Sequence, residues 1–254
     1  MRKKILTTLM VVAALSLTSC GTTNTQKLPV DKSTSKNIST ETNNTETTTQ
    51  TVRDSIVDNY TGELGDAKIL KKDSGFSYDN KDYPISCRLS SFLDNTNYVI
   101  DEESEKVAKE RIDSYGRFSV MLRDKDGNDV GVSFNLLKSS SDEDGATETD
   151  ALDLKNCKIT DFDFDSVKFG SYEDGAKLRE AHPVRVPGGA TWDSTLEDLM
   201  RIYGKPTQIT PVQDSYTYYE FEYKDLDRQI TYELIAYYQK GATTPYRYIY
   251  SVIR

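Results

Sequence analysis

The segment from Thr191 to Pro206 constrains the fold more than any other part of the chain. Ser194 and Glu197 have the spacing of a capping box, in which each of the two residues uses its side chain to bond a free backbone N–H at a helix start. Gly204 and Pro206 are suited to ending that helix. Between them, apolar residues recur at helical spacing and form one stripe: Leu196, Leu199, Met200 and Tyr203. A short helix with one apolar face needs a sheet to cover that face.

A shorter form of the same arrangement lies earlier in the chain. Leu89, Phe92 and Leu93 lie at i, i+3 and i+4 and predict a second helix with one apolar side. An exposed helix is predicted at 102–115 and a loop at 170–189. Strands are predicted at 67–70 and 76–78, then at 117–123, 130–137 and 154–165 in the first half and at 216–223, 228–239 and 246–253 in the second. Helix followed by three antiparallel strands therefore occurs twice.

These patterns predict an α+β fold made of two tandem modules, each a short helix packed on a small antiparallel sheet. We place the first module at residues 56–168 and the second at 169–254. A signal peptide at 1–19 and a disordered tether at 20–55 precede them. The folded part is long enough to bury a sizeable core.

The first 20 residues are organised like a bacterial secretion signal. Basic residues from Arg2 to Lys4 precede an apolar run from Ile5 to Leu17, and this run of 13 residues is too short to cross a bilayer as a helix. The sequence Leu17-Thr-Ser-Cys20 resembles the lipobox of bacterial lipoproteins. The resemblance implies cleavage before Cys20 and attachment of acyl chains, palmitate among them, to this cysteine. We therefore expect a lipid-anchored protein on the extracytoplasmic face of the cell membrane; the alternative is an ordinary signal peptide with an incidental cysteine.

Composition changes sharply after the predicted signal. Eleven threonines lie between Thr22 and Thr51, and no aromatic residue precedes Tyr60. Such a segment buries too little apolar surface to offset the entropy of ordering it. A flexible tether of this length holds the folded part roughly 30 Å from the lipid.

The charge balance argues against some classes of partner. Removal of the predicted signal takes away three basic residues and no acidic one, which leaves 29 basic and 41 acidic residues and a net charge of −12. A field of this sign disfavours nucleic acid and disfavours flat binding to anionic lipid. We expect no nucleic-acid partner.

The cysteines and the single histidine form no recognisable catalytic or metal-binding motif. Cys87 and Cys157 are the right number for one disulfide in an oxidising compartment, although small buried thiols are equally common. His182 is not near either cysteine in sequence, and we expect it in a turn. Residues 124–129 begin like a calcium loop, but Asp129 stands at the sixth position and Asn135 at the twelfth, where an EF-hand needs glycine and glutamate. We therefore predict a hairpin turn. No metal or cofactor is expected.

Tyrosines are concentrated near the C-terminal end, where eleven of the 17 lie after residue 200. Alternation along the strand at 216–223 places two of them on one face with two glutamates, and three more follow on the last strand. Exposed tyrosines provide apolar area with a hydroxyl, as protein- and sugar-binding faces do, whereas the alternative is that they fill half-buried strand positions. The predicted binding residues are Tyr216, Tyr218, Glu220, Glu222, Tyr246, Tyr248 and Tyr250.

Glu220 and Glu222 also permit a catalytic interpretation. Residues two apart on a strand are separated by about 6.6 Å along it, which lies within the range of paired carboxylates in glycosidases. The alternative to a binding module is therefore a carbohydrate- or cell-wall-directed hydrolase. No P-loop, nucleophile elbow or metal-ligand motif accompanies the pair, and we expect a protein that is not an enzyme.

The segment Thr195-Leu-Glu-Asp-Leu-Met-Arg-Ile-Tyr-Gly-Lys-Pro206 is similar to the helix-and-turn signature of the SmpA/OmlA and β-lactamase-inhibitor-protein-like superfamily. In the first half, Asn95-Thr-Asn97 stands where that signature has Gly-x-Pro. The whole chain also resembles the tandem-module lipoproteins of Firmicutes. The resemblance implies a non-catalytic interaction module and does not imply which partner it binds. From the tyrosine-bearing strands and the predicted anchor, we expect a protein or glycan partner in the cell envelope.

Overall fold

The computed structural model describes residues 55–115, 117–138, 153–167, 172–212 and 215–253. All of them belong to one unit of the chain, Glu41–Arg254. The predicted signal, Cys20 and nearly all of the predicted tether lie outside the described residues. So does the predicted boundary between the two modules.

The helices are short, and most of them lie between strands. A helical turn at 55–59 comes first, and none of the described helices has the length and hydropathy of a membrane span. The others are α1 (Ile69–Lys72), α2 (Leu89–Thr96), α3 (Glu102–Tyr115), α4 (Tyr172–Ala181) and α5 (Leu196–Tyr203).

The helices at α2, α3 and α5 confirm their predictions, whereas α1 and α4 replace a predicted strand and a predicted loop. At α1, the side chain of Asp66 accepts the backbone N–H of Lys68 at 2.8 Å and starts a helical turn. Leu70 is then fully buried, so a tertiary contact stabilises a helix that is too short to be stable alone.

The strands form two antiparallel sheets. The small sheet has the order β2-β1-β7, and the large sheet has the order β3-β4-β5-β6-β11-β10-β9-β8. Their bounds are β1 (Gly75–Tyr78), β2 (Lys81–Pro84), β3 (Val99–Ile100), β4 (Arg117–Arg123), β5 (Asp129–Leu137), β6 (Lys158–Asp165), β7 (Val184–Arg185), β8 (Gln208–Val212), β9 (Tyr216–Asp225), β10 (Ile230–Gln239) and β11 (Arg247–Ile253). The turn between β4 and β5 confirms the hairpin predicted at 124–129.

Helix α5 begins one residue later than the predicted capping box. The cap is Thr195, whose hydroxyl accepts the N–H of Asp198 at 3.2 Å while the Asp198 carboxylate accepts the N–H of Thr195 at 3.0 Å. Ser194 instead accepts the N–H of Thr191 in the preceding turn. Both pairs have the spacing of a capping box, and the extended backbone of Thr195 selects the second one.

One core lies between the large sheet and the layer of helices and small sheet that covers it. The predicted stripe of α5 is buried as expected, as are the inward-facing residues of β4, β5, β6, β9, β10 and β11. Strand β6 pairs with β11, so strands from both predicted modules share one sheet. The α+β class and the antiparallel sheets are confirmed, while the division into tandem modules stays a prediction.

Candidate binding face

Strand β9 has one buried face and one face toward solvent. Thr217, Tyr219 and Phe221 point into the core, with exposed fractions of 6%, 0% and 0%. The alternate residues are half-buried on the opposite face: Tyr216, Tyr218, Glu220 and Glu222. The structure therefore brings these four predicted binding residues together on the outer face of the large sheet.

A cluster of four tyrosines lies on this face. Tyr237 of β10 is at its centre, with its ring centroid 5.3 Å from Tyr218, 5.6 Å from Tyr216 and 6.3 Å from Tyr246. Tyr216 and Tyr246 also meet edge to face at 6.4 Å. We call Tyr216, Tyr218, Tyr237 and Tyr246 the tyrosine cluster. Burial raises the pKa of Tyr237 and raises that of Tyr246 to about 12, so both hydroxyls keep their protons near neutral pH.

Arg247 packs against the central ring of the tyrosine cluster. Its guanidinium carbon lies 5.0 Å from the ring centroid of Tyr237, in cation–π geometry. Its Nε and Nη2 donate to the two carboxylate oxygens of Asp163 at 2.8 and 2.5 Å. This bidentate bond to Asp163 raises the pKa of Arg247. Asp163, on β6, thus holds the guanidinium of Arg247 over the ring of Tyr237.

Three glutamates lie beside the tyrosine cluster on the same face. Glu233 of β10 lies opposite Glu222 of β9, and Glu220 is the next outward residue on β9. Burial raises the pKa of Glu233, and the negative charges of Glu220 and Glu222 raise it further. Lys224 pairs with Glu222 at 3.0 Å. We call Glu220, Glu222 and Glu233 the acidic patch.

Two of the predicted binding residues belong to the core instead. Tyr248 and Tyr250 on β11 are both fully buried, and their hydroxyls donate to the carbonyl oxygens of Thr191 at 2.8 Å and Leu70 at 3.0 Å. Tyr246 precedes the strand, which starts at Arg247, and its ring lies against the outer tyrosines. The prediction that the three tyrosines share one exposed face is corrected, because Tyr246 does not follow the alternation of β11.

The cysteines and the histidine lie elsewhere. Cys87 and Cys157 are present as thiols rather than as a disulfide. Burial raises the pKa of the Cys87 thiol to about 11, which makes it a poor nucleophile near neutral pH. His182 follows α4, and its Nδ1 lies 2.9 Å from the carboxylate of Asp79. The described residues contain no group of three or more acidic, cysteine or histidine side chains that could hold a metal ion.

Sequence reasoning missed three members of this face: Arg247, Glu233 and Tyr237. The alternation of β10 was visible, but the register between β9 and β10 was not. That register places Tyr237 opposite Tyr218 and Glu233 opposite Glu222. The resulting surface joins ring faces, hydroxyls and carboxylates, and it is therefore suited to binding a polar or cationic ligand with an apolar part.

Comparison with known proteins found no matching family model, no matching curated protein and no matching solved structure. The predicted resemblance to the SmpA/OmlA and β-lactamase-inhibitor-protein-like superfamily thus stays a prediction.

Proposed function

We propose that this protein is a lipid-anchored envelope lipoprotein whose tyrosine cluster and acidic patch bind a protein partner carrying lysine or arginine side chains. The observation that carries the proposal is the contiguity of these two features on one outer sheet face. The lipid anchor rests on the sequence around Cys20. The tether would give the folded part the reach to meet a partner in the envelope.

The tyrosine cluster supports a binding role rather than a purely structural one. Tyrosine is enriched among residues that contribute most to protein interfaces, because it offers a large ring of low flexibility and a hydroxyl. The four rings are already packed against one another within about 5–6.5 Å, so little side-chain entropy remains to be lost on binding.

The acidic patch supports a cationic partner. Burial is the main cause of the raised pKa of Glu233, and repulsion from the carboxylates of Glu220 and Glu222 raises it further. A lysine or arginine from a partner would relieve this repulsion and would steer association. A neutral glycan would contact the tyrosine rings but would leave the repulsion in place.

We also propose that the fold arose by duplication and belongs with the superfamily that its α5 segment resembles. The support is the order of the large sheet, β3-β4-β5-β6 followed by β11-β10-β9-β8, which is the same series read from both edges. Each series begins with a helix, α2 or α5, followed by an edge strand. The first series carries α3 as an insertion between β3 and β4.

A capture experiment with matched variants tests the proposed function. The full chain with Cys20→Ser, which prevents lipid attachment, is immobilised and exposed to solubilised native envelope, with crosslinking. We expect partners whose capture falls at least tenfold with Tyr237→Ala or Glu233→Lys and falls with rising salt. Glu110→Lys is the matched control, because this exposed residue lies on α3 and not on the strands that carry the tyrosine cluster and the acidic patch. Capture that is insensitive to Tyr237→Ala and Glu233→Lys contradicts the proposal.

The raised pKa of Glu233 beside Glu220 favours a second candidate, a carbohydrate-directed hydrolase. Glycosidases combine a carboxylic acid whose pKa is raised with a nearby ionised carboxylate. Under this candidate, Glu220→Gln or Glu233→Gln abolishes release of reducing ends from envelope polysaccharide. Under the binding proposal no turnover occurs, and Glu220→Gln weakens capture only modestly.

A further inference from the structure

A groove lies between α1 and α5. These helices belong to the layer that covers the inner face of the large sheet, whereas the tyrosine cluster lies on the outer face. The groove has a volume of about 550 Å³, which is within the range of small-ligand sites. Its lining consists of Asp66, Lys68, Ile69, Lys71, Lys72 and Ile202. Three of the lining residues are lysines, although the chain has a net charge of −9.

The walls of the groove are held in place by the fold. The N–H of Gly65 donates to the carbonyl of Met200 at 3.1 Å and ties the chain before α1 to α5. Lys71 donates to the buried carboxylate of Asp225 at 2.6 Å, and Tyr250 donates to the carbonyl of Leu70. These bonds attach α1 to β9 and β11. The groove is therefore preformed, and a ligand would not need to order its walls.

The lysines differ in their availability to a ligand. Lys71 is paired with Asp225, whereas Lys68 and Lys72 are exposed and have no acidic partner among the described residues. The backbone N–H of Lys72 donates to the carbonyl of Lys68 at 3.2 Å, so the two side chains leave α1 one helical turn apart. Like charges at this spacing repel, and an anion between them would remove that repulsion.

The rest of the lining is apolar or already bonded. Ile69 and Ile202 are half-buried and provide apolar surface from the two walls. Asp66 is the one acidic residue among the described residues of the lining, and its carboxylate accepts the backbone N–H of Lys68. The ammonium groups of Lys68 and Lys72 lie beside the apolar surface of Ile69 and Ile202. This arrangement suits a ligand that has a single anionic group and a short alkyl chain.

We propose that this groove binds a small anionic amphiphile, with the phosphate or carboxylate head between Lys68 and Lys72 and the alkyl chain on Ile69 and Ile202. Its volume suits a monomeric ligand with a short chain rather than a bilayer. The site is separate from the tyrosine cluster and independent of the proposed partner.

Titration calorimetry on the full chain with Cys20→Ser tests the proposal with three probes: octyl phosphate as monomer, octyl glucoside and inorganic phosphate. We expect octyl phosphate to bind one to one and at least tenfold more tightly than either of the others. Removal of two methylenes should weaken it about fivefold, because two fully buried methylenes contribute a factor of about sixteen and the groove covers the alkyl chain only in part. Equal binding of octyl phosphate and octyl glucoside, or of octyl phosphate and inorganic phosphate, overturns the proposal.

The double substitution Lys68→Gln and Lys72→Gln should weaken octyl phosphate at least tenfold. The matched control is Lys106→Gln with Lys125→Gln, two exposed lysines that change the net charge equally and should leave affinity within twofold. Backbone amide shifts on titration should concentrate at residues 65–72 and 200–204. Equal loss in both double variants, shifts elsewhere, or binding to phosphatidylglycerol vesicles without binding of monomeric octyl phosphate overturns the proposal.

Discussion

The four strands β3–β6 and the four strands β8–β11 form one sheet, yet they fill its inner face differently. The first group buries aliphatic and phenylalanine side chains, among them Val132, Phe134 and Phe164. The second group buries tyrosines, and a buried hydroxyl needs a hydrogen-bond partner. Tyr248 and Tyr250 meet this need by donating to the carbonyls of Thr191 and Leu70. The second half therefore uses its core to hold the loop before α5 and the helix α1.

The outer faces of the two halves of the sheet also differ, in how completely their charged groups are paired. In the first half the charges are paired: Arg117 with Asp161 and Arg123 with Asp101. In the second half the tyrosine cluster and the acidic patch lie side by side, with three carboxylates and one lysine partner, Lys224. The charges on the outer face of the first half are therefore already paired, some of them by residues of the second half, whereas the second half presents groups that a ligand can still satisfy.

The largest effect is expected from Phe162→Ala, because Phe162 lies where the two halves meet. Its ring centroid is 5.1 Å from Phe76, 4.5 Å from Phe164 and 5.4 Å from Tyr250. We expect a loss of about 3–5 kcal/mol in the free energy of unfolding. Urea unfolding is followed by circular dichroism and by Trp192 fluorescence. In the wild type and in the variant alike, the two signals should report the same single transition, at a lower urea concentration for the variant. Two separate transitions would show that the halves are independent.

The ends of α2 and α5 provide the next comparison. Gly204 has φ 85° and ψ −167°, a conformation that is essentially restricted to glycine, and an added Cβ would lie 3.0 Å from the carbonyl oxygen of Gly65. Gly204→Ala should therefore cost about 2 kcal/mol of stability. Asn97 ends α2 at φ 59° and ψ 18°, a left-handed conformation that asparagine tolerates. Asn97→Gly should change stability by less than about 0.5 kcal/mol, and equal effects at the two ends would be evidence against this account.

A smaller effect is expected from Tyr250→Phe, which removes a hydroxyl from the core of the second half. The buried carbonyl of Leu70 would lose the hydrogen bond that the Tyr250 hydroxyl donates to it. We expect the free energy of unfolding to fall by about 1–2 kcal/mol. Tyr216→Phe on the outer face is the control and should stay within about 0.5 kcal/mol. Both are measured by chemical denaturation, and equal losses would contradict the distinction between the inner and the outer tyrosines.

The smallest effects on stability are expected from Asp101→Asn in the first half and Glu233→Gln in the second. These two effects should depend on pH in opposite ways. The pKa of Asp101 is lowered mainly by the hydrogen bond from Arg123, so its contribution to stability is present near neutral pH and is lost as pH falls through the folded-state pKa. Asp101→Asn should cost about 1 kcal/mol at pH 7 and less in acid. The pKa of Glu233 is raised, so its contribution is present in acid and is lost as pH rises through the folded-state pKa.

Glu233→Gln should therefore stabilise the protein at pH 7 by up to about 0.5 kcal/mol, and this gain should shrink on acidification. Thermal unfolding of both variants between pH 2 and pH 7 measures the two trends, since the pKa of Asp101 is lowered below its usual value. Trends of the same sign would contradict the contrast between paired charges in the first half and repelling charges in the second.

Local patterns predicted several elements correctly, and their failures have identifiable causes. The stripe of α5 was recognisable because Leu196, Leu199, Met200 and Tyr203 all bury on one face. Strand β8 was missed, because Gln208–Val212 is short and contains Pro211. Proline is tolerated there since β8 is an edge strand, which among the described strands pairs with β9 alone. The four-residue helix α1 was predicted as a strand, because four residues carry too little periodicity to separate the two.

The helical stripe of α5, the alternation of the strands and the chemistry available at each position can be read from the sequence, since all of these depend on local spacing. The tertiary structure was needed to show that Tyr248 and Tyr250 face inward while Tyr246 joins the outer cluster. It was also needed to show that Glu233 lies opposite Glu222, that Arg247 of β11 lies over Tyr237 and that three lysines of one short segment line a groove with Ile202. These relations depend on strand register and on packing between residues far apart in the chain, and no local spacing encodes either one.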